Sequence, residues 1–192
     1  MQISLRSVLL ASSFVFLMGC NDDGQQKTAP SSPKAPASTP APAKSQEVWI
    51  ITGKYKVDVP EYLVETKGEL TKQTNNMRVF EDVAKTRTLL TLITPTDGAD
   101  LKVMTEVIAK QSLERDKNAA ILLQKEIEIK QGHKGWRLDV ADKSQGYANY
   151  NSVVTAQVDN KIVVLVIGMV GENSAVAEAE IARIIDSIEI KD

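Results

Sequence analysis

The segment with the most specific chemistry is 17–20, Leu-Met-Gly-Cys, which ends on the only cysteine of the chain. Arg6 gives a positive start, and residues 7–18 form an apolar run with the length of a signal-peptide core, too short to cross a bilayer. The pattern predicts a bacterial lipoprotein signal, with lipid attached to the Cys20 thiol and cleavage between Gly19 and Cys20. The alternatives are an ordinary secretory signal with an incidental cysteine, or a buried apolar helix.

Lipid on Cys20 would tie the protein to a membrane. One acyl chain gives only marginal binding and two or more hold stably, and a mature bacterial lipoprotein normally carries three on this cysteine. In enteric-type sorting, an aspartate directly after the cysteine retains the protein in the inner membrane. This chain has Asn21 there, which favours the outer membrane.

Composition excludes several classes of function. The 23 basic and 25 acidic residues nearly balance, and no basic patch interleaved with aromatic residues suggests nucleic acid as a partner. One cysteine cannot build a disulfide framework, and once acylated it cannot act as a nucleophile or a metal ligand. Beyond residue 20 the longest apolar run is 162–170, far shorter than a transmembrane helix.

The composition also divides the chain into three parts. Residues 1–19 are the predicted signal peptide, and residues 20–46 are the lipidated cysteine followed by a Pro/Ala/Ser-rich tether. Fully extended, this tether would reach roughly 80 Å, which lets the domain stand away from the membrane. Residues 47–192 are predicted to form one globular domain with a real hydrophobic core.

Alternation of apolar and polar residues predicts most of the strands of that domain. A continuous apolar run at 162–170 is typical of a central strand covered on both faces. Asp159 and Asn160, before it, suit a two-residue hairpin turn. Residues 61–75 are ambiguous and allow a short helix and a loop. The other predicted strands are 48–51, 55–59, 77–80, 86–93, 121–129, 136–140 and 148–158.

Two amphipathic helices complete the predicted fold. The first is expected to begin after Asp97 as N-cap and to run to about Lys117, with Val103 and Val107 broadening its apolar stripe. The second follows a cap at Asn173 or Ser174 and buries isoleucines at helical spacing. Hairpin-joined strands and two such helices predict an α+β sandwich, an antiparallel sheet with helices on its faces.

No enzymatic motif, metal site or cofactor site is predicted. His133 is the only histidine and lies in a predicted turn, with no second ligand at metal-binding spacing. Glycine-rich phosphate loops and Gly-x-Ser-x-Gly elbows are absent from the sequence. Strand aromatics are normally core residues, but Trp49, Trp136 and Tyr147 together are a candidate partner surface.

Several short segments resemble the DcrB family of bacterial envelope lipoproteins, in order along residues 54–190. They are Asn75-Asn76-Met77-Arg78-Val79-Phe80, Arg115-Asp116, Gly132-His133-Lys134 and Tyr150-Asn151-Ser152-Val153. The resemblance implies a PsbP-like fold, which a photosystem subunit and a Ran-binding protein also use. It further implies a periplasm-facing lipoprotein linked to bacteriophage adsorption and envelope upkeep, with no catalytic residue to carry over.

Two functions of different class follow. The first is a non-catalytic lipoprotein that binds another envelope protein, and an enzyme is not expected. The second is a carrier or sensor of a small apolar ligand such as a lipid, suggested by the apolar strands at 86–93 and 162–170.

Overall fold

The computed structural model describes residues 44–66, 76–143, 148–171 and 174–191. The predicted signal peptide, Cys20 and nearly all of the tether lie outside the described residues. So do Tyr147 and the predicted cap Asn173. Among the residues that are described, no helix is both long and apolar enough to cross a bilayer.

The described residues form ten strands and two α-helices, and the predicted elements occur among them in the predicted order. The strands are β1 (Ser45–Ile51), β2 (Tyr55–Pro60), β3 (Val64–Thr66), β4 (Met77–Glu81), β5 (Arg87–Pro95), β6 (Ala120–Ile129), β7 (His133–Asp142), β8 (Asn149–Val158), β9 (Lys161–Val170) and β10 (Glu189–Ile190). The helices are α1 (Leu101–Arg115) and α2 (Ser174–Asp186), and a 3-10 turn at Lys130–Gly132 joins β6 to β7.

Seven strands form one antiparallel sheet in the order β3-β4-β5-β9-β8-β7-β6, which places β9 at its centre. Leu165 and Ile167 on one face and Ile162 on the other are at most 1% exposed. Asp159 adopts the positive φ of 53° that the hairpin turn before β9 requires. The prediction of a central strand covered on both faces is confirmed.

A second layer covers one face of this sheet. β1, β2 and β10 form a small antiparallel sheet, and α2 packs beside it against β2 and β8. Tyr55 and Val57 of β2 meet Ile181 and Ile188 in this core, and all four are fully buried. β10 is only two residues long and has no recognisable sequence pattern of its own, so it was not predicted.

Helix α1 covers the opposite face, over β6, β7 and β8. Met104 and Ile108 pack there on Leu138 and Val140. Val103, predicted to broaden the buried stripe, is instead 52% exposed, because it lies on the side of α1 opposite Met104 and Ile108.

The N-cap of α1 is Asp100, so the prediction of Asp97 was wrong. The Asp100 carboxylate accepts hydrogen bonds from the backbone N–H of Lys102 at 2.7 Å and of Val103 at 3.3 Å. Asp97 lies in the preceding turn with φ of 41°, a conformation outside the helix. Residues 98–100 lie between Asp97 and Leu101, the first residue of α1, so Asp97 is too far from the helix to cap it.

The α+β sandwich fold is confirmed, with one addition: the layer opposite α1 contains a small sheet as well as a helix. The region 61–75 also differs from expectation where it is described, since Val64–Thr66 form β3, which pairs with β4, in place of a short helix.

Candidate functional site

Trp49 lies on the outer face of the small sheet. Its neighbours Val48 and Ile50 point into the core, so the alternation of β1 turns Trp49 outward. The ammonium groups of Lys56 and Lys191 lie 5.8 Å and 5.1 Å from the centre of its ring. At these distances both cations interact favourably with the indole.

Hydrogen bonds and ion pairs hold Trp49 and its flanking lysines in one arrangement. The indole N–H donates to Glu47 Oε1 at 3.0 Å, and Lys56 Nζ lies 2.6 Å from Glu47 Oε2. Lys56 also pairs with Glu189 at 3.1 Å, and Lys191 Nζ lies 3.5 Å from the same carboxylate. The hydrogen bonds from Lys56 lower the pKa of Glu47 and of Glu189, so both stay charged. We call Glu47, Trp49, Lys56, Glu189 and Lys191 the Trp49 surface.

Arg78 connects the Trp49 surface to the large sheet. Its Nη1 donates to the backbone oxygen of Trp49 at 3.0 Å. Its Nε and Nη2 each donate to one oxygen of Glu65 at 2.8 Å, a bidentate pair that fixes the guanidinium. The backbone of β1 at Trp49 is therefore tied to β3 and β4, and the indole stands on a rigid base.

A cleft of about 240 Å³ adjoins this surface where β2 meets the end of α2. Ser187 joins the two elements, because its hydroxyl accepts from the Asp58 N–H at 2.9 Å and donates to the Ile184 oxygen at 2.6 Å. Ser45, Pro60 and Ile184 supply uncharged parts of the wall. The charged residues of the lining are Asp58, Lys130, Glu180, Arg183 and Asp186.

Glu180 forms part of the cleft wall and reaches towards the large sheet. Its Oε2 accepts from Arg87 Nε at 3.4 Å, while its Oε1 is buried with no hydrogen-bond partner in the described residues. Burial raises the pKa of Glu180, and the charge of Arg183 acts in the opposite direction. The Arg87 guanidinium lies 5.7 Å from the ring of Tyr62, which limits its movement.

Asp139 has the most deeply buried carboxylate among the described residues, and three neighbouring side chains donate hydrogen bonds to it. Arg137 donates from Nε to Oδ1 at 2.9 Å, and its Nη2 lies 2.7 Å from Oδ2. Ser152 donates to Oδ1 at 2.6 Å and Tyr150 to Oδ2 at 3.2 Å. A carboxylate satisfied in this way has a structural role, and it has no lone pair directed at an open site.

Two segments that carry the family resemblance come together on the other face, near Asp142. Its carboxylate accepts from Asn149 at 2.7 Å and from Asn151 at 3.4 Å. Asp116, at the end of α1, accepts from the backbone N–H of Lys143 at 3.3 Å. The segments at 115–116 and 150–153 thus fasten the end of α1 to the β7–β8 hairpin.

The three aromatic residues proposed as one partner surface are not brought together. Trp136 shares the face of β7 with Leu138 and lies on the α1 side of the large sheet, whereas Trp49 lies on the far side of the small sheet. Tyr147 is outside the described residues. A partner surface at these residues stays a prediction, and it is best developed around Trp49.

His133 begins β7 directly after the 3-10 turn, where Ile129 pairs with it across the strands. Within the described ranges, no group of three His, Cys, Asp or Glu side chains is placed to hold a metal ion. Sequence reasoning missed the lysines and glutamates around Trp49 and the cleft. The alternation in β2 does place Lys56 and Asp58 on one face, and this pattern could have indicated a charged surface beside Trp49.

Comparison with known proteins gives one curated relative along nearly the whole chain. The chain is 26% identical over 175 residues to the inner membrane lipoprotein DcrB of Shigella flexneri, covering 91% of each protein. No protein-family model matches the chain. The relative confirms the resemblance to the DcrB family. It also shows that the outer-membrane preference drawn from Asn21 was wrong, since this relative is an inner membrane lipoprotein.

Two solved structures share the fold at low sequence identity. The cyanobacterial PsbP (CyanoP) of Synechocystis sp. superposes with a TM-score of 0.60 at 10% identity, covering 83% of this chain and all of the other. The Ran-binding protein Mog1p of Saccharomyces cerevisiae gives 0.55 at 15% identity, covering 79% of this chain and 97% of the other. These matches confirm the PsbP-like fold.

Proposed function

The chain is related to the DcrB family of lipoproteins, and from this relationship we propose that it is a non-catalytic binding protein of the bacterial envelope. Residues 1–19 direct export and are removed, and acyl chains on Cys20 hold the mature protein in the inner membrane. The tether after Cys20 leads to the domain, which begins with β1 at Ser45, two residues before the predicted boundary; the domain faces the periplasm and binds another envelope protein. Envelope upkeep and the family's link to bacteriophage adsorption are the processes that this binding serves.

The observation that carries the proposal is the Trp49 surface. Tryptophan is enriched among the residues that dominate binding energy at protein interfaces. Here two lysine ammonium groups lie 5.8 Å and 5.1 Å from the centre of its ring and its N–H is held by Glu47 at 3.0 Å, so little side-chain freedom remains to be lost on binding. A half-buried, fixed indole surrounded by both signs of charge suits a protein partner with a complementary polar rim.

The packing of the apolar strands favours this proposal over a carrier of apolar ligands. The strands that suggested a carrier, within β5 and β9, are packed into the two cores. Leu89, Leu90 and Ile162–Ile167 are each at most 8% exposed. Their apolar content is therefore explained by folding, without a ligand. A non-catalytic role is supported by Asp139, whose carboxylate is engaged by three neighbouring donors.

Site-directed crosslinking in intact cells tests the proposal. A photoreactive amino acid at Lys54, in the turn between β1 and β2 where its backbone oxygen accepts from the Lys191 N–H at 2.8 Å, should trap one specific envelope protein. The same probe at Lys110, on the exposed side of α1, serves as the matched control and should not trap it. Trp49→Ala should reduce the yield from position 54 several-fold while the thermal unfolding curve keeps a cooperative transition. A crosslink of equal strength from both positions, or one that Trp49→Ala does not change, would contradict the proposed surface.

The anchor requires its own test. Cys20→Ser removes the only thiol that can be acylated, so processing before residue 20 should stop. A chain cut elsewhere should appear in the soluble periplasmic fraction, and an uncut chain should migrate as the larger precursor. Inner and outer membranes separated on a density gradient should show the unchanged chain in the inner membrane. Membrane retention of Cys20→Ser with unchanged processing would overturn the anchor.

A further inference from the structure

The cleft between β2 and the end of α2 has an unusual distribution of charge. Lys130 and Arg183 line it together with Asp58 and Asp186. Within the described residues, no nitrogen of these two cations lies within 4.0 Å of an oxygen of these two carboxylates. Glu180 lines the cleft as well, so two cationic and three acidic side chains surround it.

The four side chains come from three different elements. Asp58 belongs to β2, Arg183 and Asp186 to α2, and Lys130 to the 3-10 turn after β6. The Asp58 N–H to Ser187 Oγ bond of 2.9 Å locks β2 against the end of α2, so this part of the cleft wall is fixed by the backbone. A ligand that carries a negative and a positive group can therefore contact the two cations and the two carboxylates without breaking an ion pair among these four side chains.

The size and the remaining lining restrict the ligand further. A cleft of about 240 Å³ is below the range of about 300–1,000 Å³ that is usual for drug-sized ligands. Pro60 and Ile184 offer a small apolar contact, and Ser45 and Ser187 offer hydroxyl groups. Arginine and lysine are the preferred side chains for phosphate, and carboxylates and hydroxyl oxygens accept hydrogen bonds from a primary ammonium.

We propose that this cleft binds a small zwitterion with a primary ammonium and a phosphate, of the phosphoethanolamine type. Lys130 and Arg183 hold the phosphate, and Asp58 and Asp186 accept from the ammonium. The same chemistry is available from a membrane lipid headgroup and from a free soluble molecule. This inference stands apart from the Trp49 surface, because its test uses no protein partner and changes no residue of that surface.

Calorimetric titration of the full-length lipidated protein in detergent tests the site with glycerophosphoethanolamine as the probe. Glycerol phosphate lacks the ammonium, ethanolamine lacks the phosphate, and glycerophosphocholine has no N–H to donate. We expect saturable binding of the probe and at least about tenfold weaker binding of each comparison compound. No saturable binding up to about 10 mM, or equal binding of glycerol phosphate, overturns the proposal.

Two variants and two matched controls assign the binding to the cleft. Arg183→Gln and Asp186→Asn should each weaken binding of the probe about tenfold. Lys110→Gln and Asp97→Asn remove the same charges at exposed positions outside the cleft and should leave binding unchanged. All four should unfold cooperatively on heating. Equal affinity of the cleft variants and the controls overturns the assignment.

Vesicles distinguish the two sources of the ligand. Residues 20–192 with Cys20→Ser are used, because the acyl chains of the lipidated form and the apolar segment 7–18 would each insert into any bilayer. Recruitment to phosphatidylethanolamine vesicles, lost in Arg183→Gln, identifies a headgroup as the ligand. Binding of the soluble probe alone identifies a free zwitterion. Equal recruitment to vesicles of the anionic lipid phosphatidylglycerol overturns the proposal, because it would reflect simple charge attraction.

Discussion

Arg137 and Asp139, two residues apart on β7, meet through two contacts, Nε to Oδ1 at 2.9 Å and Nη2 to Oδ2 at 2.7 Å. Residues at this spacing point to the same face of a strand, so the pair follows directly from the pleat. Asp139 is only 2% exposed, and Ser152 of the neighbouring strand lies opposite it in the ladder. The result is a buried ionic cluster between the large sheet and α2.

Removal of the carboxylate from this cluster should destabilise the domain strongly. Asp139→Ala leaves the Arg137 charge, whose side chain is 13% exposed, without its partner. We expect the free energy of unfolding, measured by urea denaturation, to fall by about 3 kcal/mol. Asp97→Asn, at an exposed turn, is the control and should leave the midpoint unchanged. A loss of the same small size in both variants would show that the cluster does not stabilise the fold.

The cap of α1 gives a second prediction. Asp100→Ala removes the acceptor of two backbone N–H groups and should lower the free energy of unfolding by about 1 kcal/mol. Asp97→Gly should cost nothing measurable, because glycine adopts the φ of 41° found there. Thermal or urea unfolding of both variants checks this. A larger loss of stability in Asp97→Gly than in Asp100→Ala would indicate that Asp97 is the N-cap.

Stability at alkaline pH should depend on Tyr150. Burial raises the pKa of Tyr150 to about 12, and the negative charge of Asp139 acts in the same direction. An unfolded tyrosine ionises near pH 10. The stability that the neutral phenol of Tyr150 adds to the folded domain is therefore fully present below that pH and is lost as the pH rises to about 12. Urea midpoints should fall over this interval, and fall less steeply in Tyr150→Phe.

Part of the alkaline loss remains in that variant, because burial also raises the pKa of Tyr55. Comparison of the two curves isolates the share of Tyr150. Parallel curves for the unchanged chain and Tyr150→Phe between about pH 10 and pH 12 would show that the phenol of Tyr150 ionises equally easily in both states.

Glu81 should be a site where stability can be gained. Its side chain shares the α1 side of β4 with Met77 and Val79, it is 6% exposed, and its Oε1 has no hydrogen-bond partner in the described residues. Burying such a group without a partner is unfavourable, so Glu81→Met should raise the free energy of unfolding by about 1 kcal/mol.

Glu114→Met, on the exposed side of α1, is the control for Glu81 and should leave stability unchanged. Urea denaturation of both variants gives the comparison. A loss of stability in Glu81→Met would contradict this prediction, because it would mean that the carboxylate makes a stabilising interaction in the folded domain.

The sequence by itself determined the elements whose pattern is local. The apolar run 162–170 predicted a central strand, and the spacing of isoleucines predicted α2, because burial of one or both faces imposes a period on neighbouring residues. Asp159 and Asn160 predicted their turn because side-chain chemistry at two positions suffices for it. The prediction of a signal segment around Cys20 depends on the local order of residues alone and required no knowledge of the fold.

The tertiary structure decided whatever joins residues far apart in the chain. β10 forms because Glu189 and Ile190 pair with Lys56 and Tyr55 of β2. A segment of two residues is too short to show a strand pattern in the sequence. The lysines around Trp49 come from β2 and from the end of the chain, and the cleft draws its charges from three separate elements. Such sites depend on how the layers pack. Packing brings together residues that are distant in the sequence, and the periodicity of neighbouring residues carries no information about those contacts.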